Sequence, residues 1–305
     1  MLLFFLAAAV SLVDSAARAQ HFRGVVRVER AGKVLVDKGY GEPADTTFWV
    51  ASISKSFTAA LVLRLREQGK LRLEDRVGDV TVDELLTHTS GLPRAAYAAE
   101  GIADIDAAQR TVLALPRGPK GKFAYSNDGY SLLAIVAERK GGAPFFELLQ
   151  REILDRAGLR HTGFWPRCFP GARVARLTRP PQGDRARENW GFKGAEGICT
   201  TAQDLSRFVH ALAGGRLLSP SSVDLLWQQT VKLSEGFAGR GFFVDGPTIW
   251  TRGTEDYGHN GVVKWIPSEQ LLIVVLSDVP EPKADRPAPS RALGDVLEAR
   301  RAELR

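Results

Sequence analysis

The chain has 305 residues, of which 44% are hydrophobic and 25% charged, a composition that excludes a disordered, collagen-like or coiled-coil protein. Its net charge of +6 is spread along the chain, and no stripe of basic and aromatic residues accompanies it, which argues against nucleic acid as a partner. No His or Cys pair has the spacing of a zinc site, so neither a metal nor an organic cofactor is expected.

The chain begins with an apolar segment, residues 2–13, followed by the small-x-small pattern Ala17-Arg18-Ala19. This pattern predicts a signal peptide over residues 1–19, cleaved after Ala19, and therefore a periplasmic or secreted protein. An uncleaved membrane anchor is the alternative, although the apolar run is shorter than the roughly 20 residues that a spanning helix needs. No stable membrane insertion is expected after cleavage.

Strands are predicted near both ends of the remaining chain, with helices between them. Alternating apolar and polar residues predict an antiparallel hairpin over residues 22–29 and 33–40. A second strand pair is predicted over residues 259–265 and 271–276. Helices are predicted over residues 52–68, 127–141, 144–158, from Thr201 onward with Asp204 placed for a capping box, and over 290–304.

This order of elements predicts an α/β (α+β) fold in which both chain ends contribute to one antiparallel sheet flanked by helices. The domain is expected over residues 20–305. Its α/β lobe would comprise about residues 20–66 and 190–305, and a mainly helical lobe would comprise residues 67–189. Clefts between such lobes are common places for a site.

Two cysteines, Cys168 and Cys199, are present in the whole sequence. In an oxidising compartment they could form one disulfide, and two buried free thiols are the equal alternative. The sequence leaves both open, because it does not give the distance between the two α-carbons.

Ser52 and Lys55 lie at the start of the predicted helix 52–68, directly after the apolar residues 48–51. A spacing of three places both side chains on one helical face, where a hydroxyl and an amine can exchange a proton. Burial of Lys55 in an apolar turn disfavours its charged form, which suits a proton acceptor. A Ser-x-x-Lys match alone is expected by chance in a chain of this length, so the assignment depends on further motifs.

Two further polar motifs follow, Tyr125-x-Asn127 and His259-x-Gly261. Each has a structural explanation when taken singly. Asn127 or Asp128 could cap the helix that follows, and His259 could be a hydrogen-bonded buried imidazole. The three motifs gain a functional meaning only through their joint order.

In this order the motifs resemble those of the superfamily of class C beta-lactamases, D-alanyl-D-alanine carboxypeptidases and family VIII-like esterases. The resemblance covers most of residues 22–280 and implies a beta-lactamase/transpeptidase-like fold. His88, which lies in one of the matching segments, is assigned to loop structure rather than chemistry. The flanking segments that agree are residues 48–75, 85–93, 123–136 and 200–205.

The resemblance implies a role for each motif residue. Ser52 would attack a carbonyl, and Lys55 and Tyr125 would share the proton transfers. Asn127 would hydrogen-bond the substrate or the lysine. The oxyanion hole would be formed by the backbone N–H groups of Ser52 and Val262.

The third motif, His259-Asn260-Gly261, would bind substrate, with Gly261 allowing close approach to the strand. It departs from the family pattern, because His259 replaces a lysine and so exchanges a fixed positive charge for a titratable imidazole. Asn260 replaces the commoner threonine, and the segment 261–276 looks several residues shorter than in relatives. Glu196 also stands where the family usually has a small residue.

The sequence therefore predicts an exported serine hydrolase that forms an acyl-enzyme on Ser52 with a small-molecule or peptide substrate. A D-amino-acid peptide or a small ester is expected ahead of a beta-lactam, because the lysine of the third motif is missing. A non-hydrolytic penicillin-binding or sensor protein, with a vestigial or acylation-only site, is the alternative. The shortened third-motif segment motivates it.

Overall fold

The computed structural model describes residues 2–94, 96–282 and 287–304. Its helices are α1 Leu2–Ala19, α2 Ser54–Glu67, α3 Val82–Leu86, α4 Ile105–Leu113, α5 Asn127–Gly141, α6 Phe145–Leu149, α7 Asp155–Ala157, α8 Ala202–Ala213, α9 Pro220–Trp227 and α10 Pro289–Ala299. Its strands are β1 Gly24–Arg30, β2 Lys33–Tyr40, β3 Phe48–Trp49, β4 Arg76–Val77, β5 Val80–Thr81, β6 Gly163–Phe164, β7 Ile198–Thr200, β8 Val231–Lys232, β9 Phe237–Ala238, β10 Phe243–Asp245, β11 Thr248–Thr254, β12 Asn260–Ile266 and β13 Leu271–Ser277.

Eight strands form one antiparallel sheet in the order β2-β1-β13-β12-β11-β10-β9-β8. Strand β1 pairs with β13 from Gly24 opposite Ser277 to Arg30 opposite Leu271. The two ends of the chain therefore meet in the sheet, which confirms the predicted α/β class. The predicted strand pairs are also present, since β1 pairs with β2 and β12 pairs with β13.

Strand β13 is buried on both faces of the sheet, as its continuous apolar sequence predicts. Leu272, Val274 and Leu276 belong to the core that also contains buried side chains of α2, α5 and α8. Ile273 and Val275 alternate with them and belong to a second core, which includes α1 and α10. The sheet thus separates two helical layers.

Helix α1 occupies the segment predicted as a signal peptide, and it packs against β2 and α10. Among the side chains of α1 that the structure describes, those of residues 7–19, five are buried in the second core: Ala9, Leu12, Val13, Ala16 and Ala17. Its carboxylate at Asp14 accepts hydrogen bonds from Lys38 Nζ and Tyr40 Oη, both at 2.7 Å. Cleavage after Ala19, and export with it, stays a prediction, and cleavage would uncover apolar residues of the sheet. No helix in the described ranges is both long and apolar enough to cross a membrane.

The helix predicted over residues 52–68 begins two residues later than expected. A 3₁₀ turn, Ala51–Ile53, precedes α2, and Gly69 with a φ of +69° ends the helix. Helix α2 packs on α5, and its Phe57 ring stacks on Phe208 of α8 at a centroid distance of 3.9 Å. It lies buried, as expected.

One local expectation differs from the structure. Thr201 caps α8 by accepting a hydrogen bond from the Asp204 N–H at 3.2 Å, but the reciprocal half of the predicted capping box is missing. The Asp204 carboxylate instead accepts from the His161 N–H and the Thr162 hydroxyl, because these donors are brought to it by the loop before β6. Cys168 and Cys199 form a disulfide, with α-carbons 5.3 Å apart.

Candidate active site

Ser52 and Lys55 are brought together at the junction between the 3₁₀ turn and α2. Lys55 Nζ lies 3.0 Å from Ser52 Oγ and 3.0 Å from the Ala195 carbonyl oxygen, to which it donates. The lysine is only 3% exposed. This contact places an amine where it can exchange a proton with the serine hydroxyl, as the spacing of the motif predicts.

Tyr125 lines the same cavity as Ser52 and Lys55. Lys55 Nζ lies 4.9 Å from the centre of the Tyr125 ring and 5.7 Å from that of Tyr130. Within the described ranges, no hydrogen bond joins the Tyr125 hydroxyl to Ser52 or Lys55. In this structure, therefore, Lys55 contacts the aromatic ring of Tyr125 rather than its hydroxyl group.

His88 lies against Tyr125 and holds the backbone on both sides of it. Its ring is 4.5 Å from that of Tyr125, its Nδ1 accepts from the Ser126 N–H at 3.1 Å, and its carbonyl accepts from the Ala124 N–H at 2.8 Å. Burial, aided by the positive charge of Lys55, lowers the pKa of His88 to about 3. A neutral His88 thus positions Tyr125 and also lines the cavity.

Asn127 begins α5, and Ser126 is the N-cap residue, since its Oγ accepts from the Gly129 N–H at 3.2 Å. The Asn127 carboxamide contacts Glu196 rather than Lys55, with Nδ2 donating to Glu196 Oε1 at 2.8 Å. Asn127 Oδ1 is buried and has no hydrogen-bond partner among the described residues. Burial raises the pKa of Glu196, and the charges of Lys55 and Arg185 oppose that effect.

The strand beside the nucleophile is β11, which sequence analysis did not predict. A methyl group added at Gly253 would clash with the Val50 carbonyl oxygen and lie 2.8 Å from Ser52 N, so the strand touches the turn that carries Ser52. Its neighbours Thr251 and Arg252 line the cavity. Strand β10 pairs with β11 only over its first part, up to Trp250.

The third predicted motif lies one strand further from the nucleophile, on and before β12. His259 is fully buried, its Nδ1 accepts from the Trp49 N–H at 3.1 Å, and its Nε2 lies 3.1 Å from the Ala175 carbonyl oxygen. Burial lowers the pKa of His259 to about 4, so the imidazole carries no charge near neutrality. The two ring nitrogens of His259 therefore link β3 and the loop at Ala175 to the start of β12.

The rest of this motif also has structural contacts. Asn260 Nδ2 donates to the Val279 carbonyl at 2.6 Å, and its Oδ1 accepts from the Ser290 N–H at 3.0 Å. Val262 is 1% exposed and belongs to the core shared with α10. Gly261 faces Leu276 and Ile53 side chains. The structure does not place these residues, or His259, at the cavity.

The segment after Gly261, expected to be shorter than in relatives, forms two regular strands. Strands β12 and β13 each have seven residues and lie in the interior of the sheet. Gly253 and Gly261 stand directly opposite each other on neighbouring antiparallel strands. A glycine-containing motif placed on β11 instead of β12 would be followed by a longer segment of the chain.

The geometry agrees with the result of comparing the chain with known proteins. A family model described as Beta-lactamase matches residues 9–298. The chain belongs to the Beta-lactamase family. This membership confirms the resemblance drawn from the sequence and identifies the fold as that of a family of serine hydrolases.

Relatives of this Beta-lactamase family member carry several names. PbpX of Bacillus subtilis (strain 168), named provisionally as a penicillin-binding protein, is 26% identical over 286 residues, which cover 85% of this chain and 71% of PbpX. The class C beta-lactamase from Rhodobacter sphaeroides has a TM-score of 0.76 at 22% identity, covering 96% of this chain and 99% of its own. The D-amino acid amidase from Ochrobactrum anthropi SV3 has a TM-score of 0.78 at 20% identity, covering 98% and 99%. At these identities the two structures show a shared fold.

Three residues of the site were missed or given no chemical role from sequence. His88 was assigned to the loop, and only its contact with Tyr125 reveals its position in the site. Arg252 could have been found from the Arg-Gly pair at 252–253, because a glycine inside a strand is a sign of close backbone approach. Glu196 was noticed as unusual, and the structure adds its contact with Asn127.

Proposed function

We propose that the protein is a serine hydrolase that forms an acyl-enzyme on Ser52 from an amide or ester substrate. The observation that carries this proposal is the 3.0 Å contact between Ser52 Oγ and the buried amine of Lys55. In the first step Oγ bonds to the substrate carbonyl carbon while its proton passes to Lys55. The proton then goes to the leaving group, with Tyr125 beside the lysine as a second carrier.

The developing oxyanion needs two N–H donors. The N–H of Ser52 remains one candidate, as predicted. For the second we replace Val262 by an N–H of β11 beyond Trp250, because this part of the strand has no partner on its β10 side among the described residues. The contact of Gly253 with the turn of Ser52 brings that open edge to the nucleophile. Deacylation by water completes the cycle.

Arg252 suggests which substrates fit. It lines the cavity together with Ser52, is exposed, and forms no ion pair with any residue of the described ranges. Its guanidinium carbon lies 5.4 Å from the centre of the Trp250 ring. A guanidinium keeps its charge and matches a carboxylate geometrically. We therefore propose a substrate with a carboxylate on the leaving-group side, such as a D-amino-acid peptide.

Arg252 also changes the ranking of beta-lactams. Their low rank followed from the absence of a fixed positive charge in the third motif, and Arg252 supplies such a charge at the cavity. The non-hydrolytic alternative keeps its motivation, the short segment expected after Gly261. It becomes an outcome of the experiment.

The test incubates purified protein with a chromogenic ester, a D-Ala-D-Ala peptide and a fluorescent penicillin. Ser52→Ala is expected to abolish turnover. Ser56→Ala is the matched control, because Ser56 is buried one helical turn away and its hydroxyl donates to the Ile53 carbonyl. Arg252→Ala should lower kcat/KM for the peptide more than for a neutral ester. The expected difference is about tenfold, the factor for one lost charge-assisted hydrogen bond. Turnover that survives in Ser52→Ala would contradict the proposal. Stoichiometric labelling of the protein by the fluorescent penicillin without turnover would support the non-hydrolytic penicillin-binding or sensor protein.

A further inference from the structure

Four partly exposed aromatic rings, those of Phe123, Tyr125, Phe243 and Trp250, lie beside the nucleophile and are called the aromatic row below. Tyr125 and Phe243 line the cavity that holds Ser52. The Phe123 ring lies 6.4 Å from that of Phe243, and the Trp250 ring stacks on Phe243 at 4.6 Å. Contiguous apolar surface next to a reactive group is a common sign of a binding site.

Packing holds the rings of the aromatic row in place. The buried ring of His88 contacts two of them, at 4.5 Å from the Tyr125 ring and 5.6 Å from the Phe123 ring. Phe243 and Trp250 stand opposite each other on the paired strands β10 and β11, and their rings are nearly parallel, at 21°. A surface that is already ordered loses little conformational entropy when it binds an apolar group.

The cavity itself is too small for a side chain of the substrate. Its volume is about 10 Å³, close to the space that one water molecule needs. Phe242, which also lines it, is only 5% exposed, and Gly241 is packed so closely on α2 that an added methyl group would lie 2.7 Å from Ala59 Cβ. The reacting group can therefore enter the cavity, whereas the rest of the substrate lies over its rim. Tyr125 and Phe243 belong to that rim, because they line the cavity and are partly exposed.

Arg252 places a positive charge at the Trp250 end of the aromatic row. It lines the same cavity as Phe243, and its guanidinium carbon lies 5.4 Å from the centre of the Trp250 ring. The proposed function assigns Arg252 to a carboxylate of the leaving group. The carboxylate and the side chain of an amino acid or hydroxy acid branch from the same α-carbon. A carboxylate bound by Arg252 therefore brings that side chain to Phe243 and Trp250.

Resting on the proposed function, we propose that the aromatic row binds the side chain of the leaving group, and that Phe243 is a specificity-determining residue. The enzyme then favours leaving groups that carry both a carboxylate and an aromatic side chain over those that carry a carboxylate and a methyl group. The carboxylate pairs with Arg252, and the aromatic side chain packs on the Phe243 ring. This contact removes apolar surface from water on both sides, and contact between two rings adds to that gain.

The test compares two esters with the same acyl group and the same carboxylate, N-acetyl-D-alanyl-D-3-phenyllactate and N-acetyl-D-alanyl-D-lactate. The measured quantity is the ratio of their kcat/KM values, from chromatography of the released hydroxy acid. Wild type should prefer the phenyllactate ester about tenfold, the factor expected when one face of a phenyl ring is buried. Phe243→Ala should reduce the ratio about tenfold, and Phe243→Tyr, which keeps the ring, should preserve it. A variant that folds poorly lowers both kcat/KM values together, so the ratio still reports the contact.

Phe146→Ala is the matched control and should leave the ratio unchanged. Phe146 is also partly exposed, and it stacks on Phe164 at 4.0 Å with an interplanar angle of 20°. A wild-type ratio of one or less, or an unchanged ratio in Phe243→Ala, overturns this inference while the hydrolase proposal stands. The same conclusion holds if the fluorescent penicillin acylates Ser52 but neither ester is cleaved. If neither ester is cleaved and Ser52 is never acylated, the proposed function fails and the inference with it.

Discussion

Substituting Gly253 by alanine tests whether β11 is the strand that borders the nucleophile. The added methyl group would clash with the Val50 carbonyl oxygen and lie 2.8 Å from Ser52 N and 3.1 Å from Ile53 N. All three are backbone atoms, so no side chain can rotate away. Carbon needs about 3.5 Å from its neighbours, which requires a movement of roughly 1 Å between the strand and the turn of Ser52.

A displacement of that size has two measurable effects. Misplacing a reacting group by about 1 Å can lower the rate about a hundredfold, so kcat/KM for ester hydrolysis should fall by about that factor. Overpacking typically costs about 1–3 kcal/mol in the free energy of unfolding, and a backbone clash belongs at the upper end. Urea denaturation followed by circular dichroism measures the second effect in the same samples.

Two alanine variants serve as comparisons. At Gly118 the nearest atom to an added methyl, the Gly91 carbonyl oxygen, is 3.6 Å away, so Gly118→Ala should behave as wild type. At Gly261 the methyl would meet the ends of the Leu276 and Ile53 side chains, so Gly261→Ala should lose some stability and keep most activity. Wild-type activity in Gly253→Ala together with a hundredfold loss in Gly261→Ala would refute the assignment of β11.

Three further predictions concern stability. Removing residues 1–19 should lower the free energy of unfolding by up to about 5 kcal/mol, because five aliphatic side chains of α1 are buried in the second core. An unchanged urea midpoint would show that α1 is dispensable. Burial raises the pKa of Glu255 to about 7, so the folded chain retains a proton that the unfolded chain loses from about pH 4.5 upward. Stability should therefore fall by up to about 3 kcal/mol as the pH rises to about 7, and Glu255→Gln should flatten this fall in urea titrations. Replacing Cys168 and Cys199 by serine should lower the free energy of unfolding by about 3–4 kcal/mol, since their disulfide closes a loop with a sequence separation of 31. A wild-type melting temperature that does not change when a reductant is added would contradict this.

The sequence was sufficient to predict the elements whose pattern is local and strong. The hairpin β1–β2, the apolar strand β13 and helix α2 were predicted within a few residues, because alternation and helical periodicity are properties of one segment. The contact between Ser52 and Lys55 was predictable from their spacing for the same reason. It operates within one helical turn and needs no knowledge of the rest of the fold.

Contacts between distant segments could not be predicted in the same way. Gly253 and Gly261 are equally suited to a close approach, and only the order of the strands shows that the first faces Ser52. Strand β11 itself alternates weakly, with Arg252 and a glycine within it, and its position depends on its partner β12. His259 was chosen for its chemistry, yet its two nitrogens are occupied by backbone partners.

The contact between Glu196 and Asn127 illustrates a third limit. These residues lie 69 positions apart, and neither side chain predicts the other. The departure of Glu196 from the family pattern was visible in the sequence, but its contact with Asn127 was not. Such pairings depend on the packing of loops, which carries little local signal.

Covalent labelling tests most directly whether Ser52 is a nucleophile activated by Lys55. A fluorophosphonate probe bonds to an activated serine oxygen with loss of fluoride, and mass spectrometry of the digested protein locates the adduct. One adduct is expected, on the peptide that contains Ser52. It should be absent in Ser52→Ala and form much more slowly in Lys55→Met. A folded wild-type protein that remains unlabelled at Ser52, or a Lys55→Met variant labelled at the wild-type rate, would contradict it.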